Sequence, residues 1–196
     1  MAQLNKQKIR QQMLAQLRTQ PESLRQEKSE KILKRVIGLE KFQSAQWLFS
    51  YVSLEYEVNT YPLIDHAQQL GKKMAVPVIF NKEKKRGRFV ISEVWDRFLE
   101  FEIGPFRIQQ PKSQFIRPVE PKKIEIAMIP CVAFDKKGRR LGHGKGFFDR
   151  FLGELSVGCL KVGIGFDFQL VSELPQEPHD LPLDLIVTDR QIVHSL

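Results

Sequence analysis

The chain has 196 residues, 42% of them hydrophobic, and carries 31 Lys and Arg against 23 Asp and Glu for a net charge of +8. That length suits one domain at roughly 150 residues per domain, and the apolar fraction with its 14 Phe supplies a core, which excludes a disordered tail. The positive balance points to anionic partners, and no apolar run approaches the length of a membrane-spanning helix.

The chain opens with two helical patterns, the first over residues 4–19. Thr19-Gln20-Pro21-Glu22 then reads as a start signal, with a proline in the first turn and an acid near the helix N-terminus. The second helix carries Leu24, Ile32, Leu33, Val36 and Ile37 and ends near Gly38. Residues 46–53 (QWLFSYVS) mix aromatic and β-branched side chains as a buried strand does. Asn59 or Thr60 caps a helix running to Leu70, with Gly71 as its stop, and KMAVPVI at 73–79 is the next strand. The basic cluster at 81–88 (NKEKKRGR) forms a hairpin tip leading into RFVISEV.

Residues 96–123, with Gly104, Pro105, Pro111, Pro118 and Pro121, are expected to be irregular. A strand follows at 124–130, then a glycine-rich basic loop, a helix from about Gly146, a strand in CLKVGIGF at 159–166, and the short apolar runs LDLIV and RQIV. Strands alternating with helices predict a single α/β domain over residues 1–196. Its architecture is a largely parallel sheet flanked by helices in three layers. In such sheets ligands sit beyond the strand carboxyl ends, where the glycine loop falls.

That loop, in RRLGHGKGFFDRFL at 139–152, places Gly142, Gly144 and Gly146 at every second position with His143 and Lys145 between them. Glycines admit positive φ and remove the Cβ atoms that keep a phosphate from backbone N–H groups, and a helix N-terminus adds positive charge. The spacing matches neither a Walker A loop nor a dinucleotide fingerprint, so two readings stay open: a phosphate cradle or a solvated basic loop. In the first helix, with Lys6 at zero on a wheel of about 100° per residue, Arg10, Met13 and Leu17 all fall within about 40° of it. Both cations therefore lie inside the apolar stripe, either snorkelling from it or reaching an anion together.

Asp149, one turn into the helix after the glycines, and Asp184, directly before LIV, either share a Mg²⁺ with phosphate oxygens or serve as ordinary structural acids. Glu55 and Glu57 alternate after the first strand, on a solvated edge or facing the N–H donors of a heterocycle. His66, His179 and His194 lack metal spacing, and neither a serine elbow nor a cysteine–histidine pair is present, so no covalent catalysis is expected. Cys131 and Cys159 lie in apolar stretches as buried reduced thiols. With a polar first twenty residues, this gives a cytoplasmic protein as the expectation.

The pieces together resemble the 5-formyltetrahydrofolate cyclo-ligase (5,10-methenyltetrahydrofolate synthetase) family over essentially the whole chain. The residues that carry the resemblance are Lys6-x-x-x-Arg10, Glu57-Val58-Asn59-Thr60, the long segment IPCVAFDKKGRRLGHGKGFFDRFL at 129–152, and LDLIV with Asp184. The resemblance implies an ATP- and Mg²⁺-dependent closure of 5-formyltetrahydrofolate, with or without a polyglutamate tail, to 5,10-methenyltetrahydrofolate, releasing ADP and phosphate. It implies ATP-phosphate contacts from Lys6 and Arg10 and from the loop Arg140, Leu141, Gly142, His143, Gly144, Lys145, Gly146, Phe147 and Phe148. Asp149 and Asp184 would serve magnesium, Val52 and Glu57 would contact the folate, and Phe106 would line its pocket.

Lys145 and Arg10 are the expected stabilisers of the transferring phosphoryl group. The chain departs from the family at Phe147 and Phe148, where tyrosines are usual, and His143 occupies a variable site. A monomer without nucleic-acid or membrane partners is expected. The basic clusters are not interleaved with aromatics, and no nucleic-acid-binding motif is present. A phosphosugar or acyl-transfer enzyme on a similar scaffold is the remaining alternative, separable by its independence of ATP.

Overall fold

The computed structural model describes residues 2–80, 89–175, 177 and 180–195, so the basic hairpin tip expected at 81–88 and His179 lie outside the described residues. Helices α1 (Ala2–Thr19) and α2 (Glu22–Ile37) meet at Pro21, whose φ of −56° and ψ of 140° break the helix. Gly38 closes α2, donating its N–H to the Lys34 carbonyl at 3.1 Å. A short α3 (Glu40–Ser44) leads into strand β1 (Trp47–Ser50), which stops before the predicted end, so that Tyr51, Val52 and Ser53 run on as loop.

This loop is pinned to the start of α4 (Tyr61–Gln69). The Thr60 hydroxyl donates to the Tyr51 carbonyl at 2.8 Å and accepts the Ser53 N–H at 3.2 Å, while Ser53 Oγ accepts the Thr60 N–H at 3.2 Å. Asn59 rather than Thr60 supplies the side-chain oxygen for the first helical turn, accepting the Tyr61 N–H at 3.1 Å.

Strands β2 (Lys73–Val78) and β3 (Val90–Val94) follow as an antiparallel pair. The stretch expected to be irregular is more ordered than its prolines suggest. Asp96 caps α5 (Arg97–Glu100), and β4 (Phe101–Ile103) pairs with β5 (Gln109–Pro111). Strand β6 (Pro118–Val119) joins the edge of the main sheet. Pro111 and Pro118 sit in short peripheral strands, where the lost N–H breaks no interior ladder.

After β7 (Ile126–Pro130), the unpredicted hairpin β8 (Ala133–Asp135) and β9 (Arg140–Leu141) delivers the glycine loop. Its turn is built on the buried Asp135 carboxylate, which accepts the N–H groups of Lys137, Arg139 and Leu174 and pairs with the Arg139 guanidinium at 2.7 Å. Helix α6 (Phe147–Glu154), β10 (Leu160–Ile164), β11 (Leu170–Val171), β12 (Leu185–Val187) and β13 (Ile192–His194) complete the chain.

The main sheet has the order β13-β12-β10-β7-β1-β2-β3-β6. The five strands from β12 to β2 are parallel, with antiparallel β13 and β3 flanking them. Period-2 alternation sends the two sets of side chains to opposite buried faces. Leu48, Met74, Ile126, Met128, Val162 and Leu185 pack with Ile32, Leu33 and Val36 of α2 and Leu63 and Ile64 of α4. Phe49, Ala75, Ala127, Ile129 and Ile186 pack with Phe151 and Leu152 of α6. Each fully buried Leu, Ile or Phe contributes about 2 kcal/mol, which is what fixes the three layers. From β1 the chain moves outward to β2, then returns to the other side of β1 as β7. The strand order thus reverses between β1 and β7, and a crevice opens beyond their carboxyl ends.

Candidate active site

A cleft of about 850 Å³ occupies that crevice, within the range of small-molecule sites. Its floor is Tyr51 and Val52 after β1 and Pro130 at the end of β7. Lys6 and Arg10 reach it from α1, Glu57 from the loop pinned by Thr60, and the glycine loop with the start of α6 forms one wall. Every residue expected at the site from Arg140 to Asp149, together with Lys6, Arg10, Val52, Glu57 and Phe106, lines this single cleft.

Asp184 does not. It precedes β12, so it stands at the amino end of a parallel strand, while the cleft lies at the carboxyl ends. Lys161, its partner, registers with Ala127, three residues or about 10 Å along the strand from Pro130. The Asp184 carboxylate accepts the Lys161 backbone N–H at 2.7 Å and its ammonium at 2.9 Å. The expected sharing of a magnesium ion by Asp149 and Asp184 is therefore corrected: Asp184 lies away from the cleft and ties β12 to β10.

The glycine loop behaves as expected at two of its three glycines. Gly144 and Gly146 have φ of +84° and +67°, and Gly146 leads directly into α6. Gly142 is not in the left-handed region. The loop's close approach is first to a protein side chain. Arg10 Nε donates to the Gly142 carbonyl at 2.9 Å, and a Cβ at Gly144 would lie 3.3 Å from Arg10 Cζ. The guanidinium therefore lies flat against the loop that it was expected to assist.

Arg140 lies beneath it, with its side chain 4% exposed and its guanidinium paired with the Asp149 carboxylate. Its Nε is a buried donor without a hydrogen-bond partner among the described residues. A bound anion would satisfy such a group. Lys145 is exposed at the cleft wall.

Sequence reasoning missed two acids. Lys6, 11% exposed, donates to Asp180 at 2.7 Å and lies 3.5 Å from Glu177, and both acids line the cleft. A contact 174 residues apart leaves no local signal. At the other end Glu57, 13% exposed, accepts the Leu54 N–H at 2.9 Å through Oε2 and meets His143 Nε2 at 3.1 Å through Oε1.

Phe106 and Arg107 both have positive φ, 60° and 62°, an uncommon conformation for side chains with a Cβ. This turn brings the Phe106 ring to 6.3 Å from that of Phe147 in an edge-on arrangement. Phe148 turns the other way, into the aromatic core around Phe49 and Phe151.

Burial, and then the Glu57 charge, holds the Tyr51 phenol well above its usual value and raises that of half-buried Tyr56. Burial pushes the Cys131 thiol up to about 12 and that of Cys159 to about 11, so neither is a nucleophile. Among the described residues no cluster of three His, Cys, Asp or Glu could hold a metal by itself. The Asp149 carboxylate beside the glycine loop nevertheless suits Mg²⁺, which takes one or two carboxylates and completes its shell with phosphate oxygens and water.

Among the described residues, no helix is long and apolar enough to cross a membrane. The chain is similar to 5-formyltetrahydrofolate cyclo-ligases of Haemophilus influenzae (31% identical over 180 residues, 89% of this chain and 93% of the relative) and Escherichia coli (33% identical over 144 residues, 72% and 77%). Its fold superposes on the solved 5,10-methenyltetrahydrofolate synthetase of Aquifex aeolicus with a TM-score of 0.83 and 28% identity, covering 96% of this chain and 92% of the other. The model of the 5-formyltetrahydrofolate cyclo-ligase family matches residues 2–189, and the chain belongs to that family.

Proposed function

We propose that the protein closes 5-formyltetrahydrofolate to 5,10-methenyltetrahydrofolate at the expense of ATP, releasing ADP and phosphate. The observation that carries this reading is the convergence of Lys6 and Arg10 from the first helix with Arg140, Lys145 and Asp149 on one glycine loop, at the switch point of the sheet. Family membership and the names of the relatives support the folate substrate.

The formyl oxygen is a poor leaving group as hydroxide. Transfer of the γ-phosphoryl group to it converts it to a phosphate ester, N10 attacks the activated carbon and loses its proton, and the C–O bond breaks to release phosphate. Such a transfer asks mainly for positioning and charge neutralisation. The residues answer that demand. Lys145 and Arg10 stabilise the charge on the transferring group, and Arg140 presents its unpartnered Nε beneath the loop. Lys6 adds a cation paired with Asp180. Asp149 would hold magnesium, which when bound neutralises phosphate charge.

At the far end, Glu57 accepts N–H donors of the folate heterocycle, with Val52 and Phe106 as apolar walls. Phe147 and Phe148 offer no phenolic hydroxyl, so these positions act through packing. The test is an absorbance assay with purified protein and 5-formyltetrahydrofolate. The methenyl chromophore should grow in with ATP and magnesium together and stay absent without ATP; growth independent of ATP would sink the reading.

A further inference from the structure

Among the described residues, the side chain of His143 joins the glycine loop to Glu57, its Nε2 lying 3.1 Å from Oε1. We infer that His143 is a positioning residue for the folate end of the site: it orients Glu57 from the nucleotide loop. The inference rests on the reading of Glu57 as the acceptor for the folate heterocycle.

Three observations build it. Glu57 is fixed at both carboxylate oxygens, Oε2 by the Leu54 N–H of its own turn at 2.9 Å and Oε1 by His143 Nε2 at 3.1 Å. A carboxylate has about four acceptor sites, so these two bonds hold the plane of the group and leave lone pairs for a ligand. The neutral tautomer with hydrogen on Nε2 is a sufficient donor, so no proton has to be gained or lost.

Second, His143 is itself held. Arg10 grips the residues on either side of it, by its hydrogen bond to the Gly142 carbonyl at 2.9 Å and by packing flat against Gly144. The ring also lies edge-on to Tyr56, 6.4 Å between centroids, and the Arg18 guanidinium sits 5.3 Å over the other ring. Third, the placement is asymmetric. Glu57 is 13% exposed and His143 38%, so the imidazole stands as the outer brace of an inner carboxylate. Arg10, the loop and His143 thus form one run of contacts from the phosphate cations to the folate carboxylate. Anything that settles the loop on a nucleotide also settles Glu57.

The experiment is steady-state kinetics on full-length His143→Ala, His143→Gln, Glu57→Gln and the double variant His143→Ala/Glu57→Gln, with thermal melting to confirm folding. His143→Ala should raise KM for 5-formyltetrahydrofolate about fivefold, the scale of one net hydrogen bond, with kcat nearly unchanged. His143→Gln, whose amide N–H can reach the same oxygen, should restore most of the loss. Once Glu57 is Gln, removing His143 should add less than it does alone.

A normal folate KM in His143→Ala, or a raised KM for ATP alone, would overturn the inference while leaving Glu57 in place. Full additivity in the double variant would do the same. A normal folate KM in Glu57→Gln would instead remove the folate role of Glu57, and the inference with it.

Discussion

The two ends of the parallel sheet use the same residue types for opposite purposes. At the amino ends, acids serve the backbone. Glu125 accepts the N–H groups of Gln46 and Trp47 at 2.7 and 2.8 Å, and Asp184 accepts that of Lys161. Lys72 answers from the other sign, donating to the Gln43 and Ala45 carbonyls at 2.7 and 2.8 Å. At the carboxyl ends, acids meet side-chain cations that line the cleft: Asp149 with Arg140, close in sequence, and Asp180 with Lys6, 174 residues away. Parallel strands leave unpaired N–H groups where they begin, and an acid placed there is consumed by the fold. Beyond the carboxyl ends, Glu57, Asp149 and Asp180 line the crevice, while Asp189 after β12 still serves the backbone, accepting the Asp167 N–H at 2.8 Å.

The strongest test of that contrast removes a cation from the cleft. Lys145→Ala should lower kcat/KM about a hundredfold, the scale of one lost donor to a developing oxyanion. A loss of less than about tenfold, or 1.4 kcal/mol of barrier, would remove Lys145 from the phosphoryl step. Next comes the pair of acids that the sequence set side by side. Asp149→Asn should cost about tenfold in kcat, with a higher magnesium requirement, because it loses the cleft carboxylate that adjoins the glycine loop. Asp184→Asn should leave kcat and the magnesium requirement within about twofold of the parent and cost less than about 1 kcal/mol of stability, since its side chain is 41% exposed. An equal loss of activity in both variants would collapse the distinction between the two ends of the sheet.

The sequence was most legible where chemistry and local geometry coincide. Cations at i and i+4 inside an apolar helical stripe, glycines at every second position before a helix, and Glu57 after the first strand all led to the cleft, while Glu55 stayed exposed outside it. It was least legible where long-range pairing decides. Nothing near Lys6 announces Asp180, and nothing near Glu57 announces His143, 86 residues on. The β8–β9 hairpin escaped because its strands have three and two residues and its turn is organised by one buried acid, Asp135. Asp184 was misplaced for a different reason. "Directly before LIV" already meant the amino end of a strand, and that position excludes the cleft however suitable the carboxylate.

At Glu125 the expected effect falls on stability alone, and it depends on pH. The Trp47 N–H, followed by that of Gln46 and the charges of Lys41 and Lys72, holds the Glu125 carboxyl below its ordinary value of 4.5 against the opposing cost of burial. A carboxyl lowered in the folded state binds its proton less readily there than in the unfolded chain. Its contribution is therefore complete above the ordinary value and is lost as the pH falls through the lowered one. Glu125→Gln keeps an acceptor and removes the charge. It should destabilise the protein by about 1 kcal/mol near neutrality, after allowing for solvent screening of a side chain that is 37% exposed. Urea midpoints for the two proteins should converge as the solution is acidified below 4.5. The kcat of the variant should match that of the parent throughout the range where both are folded. A gap in stability that persisted in acid would mean that the carboxylate charge is not what holds the start of β1, and a drop in kcat would tie this end of the sheet to the site.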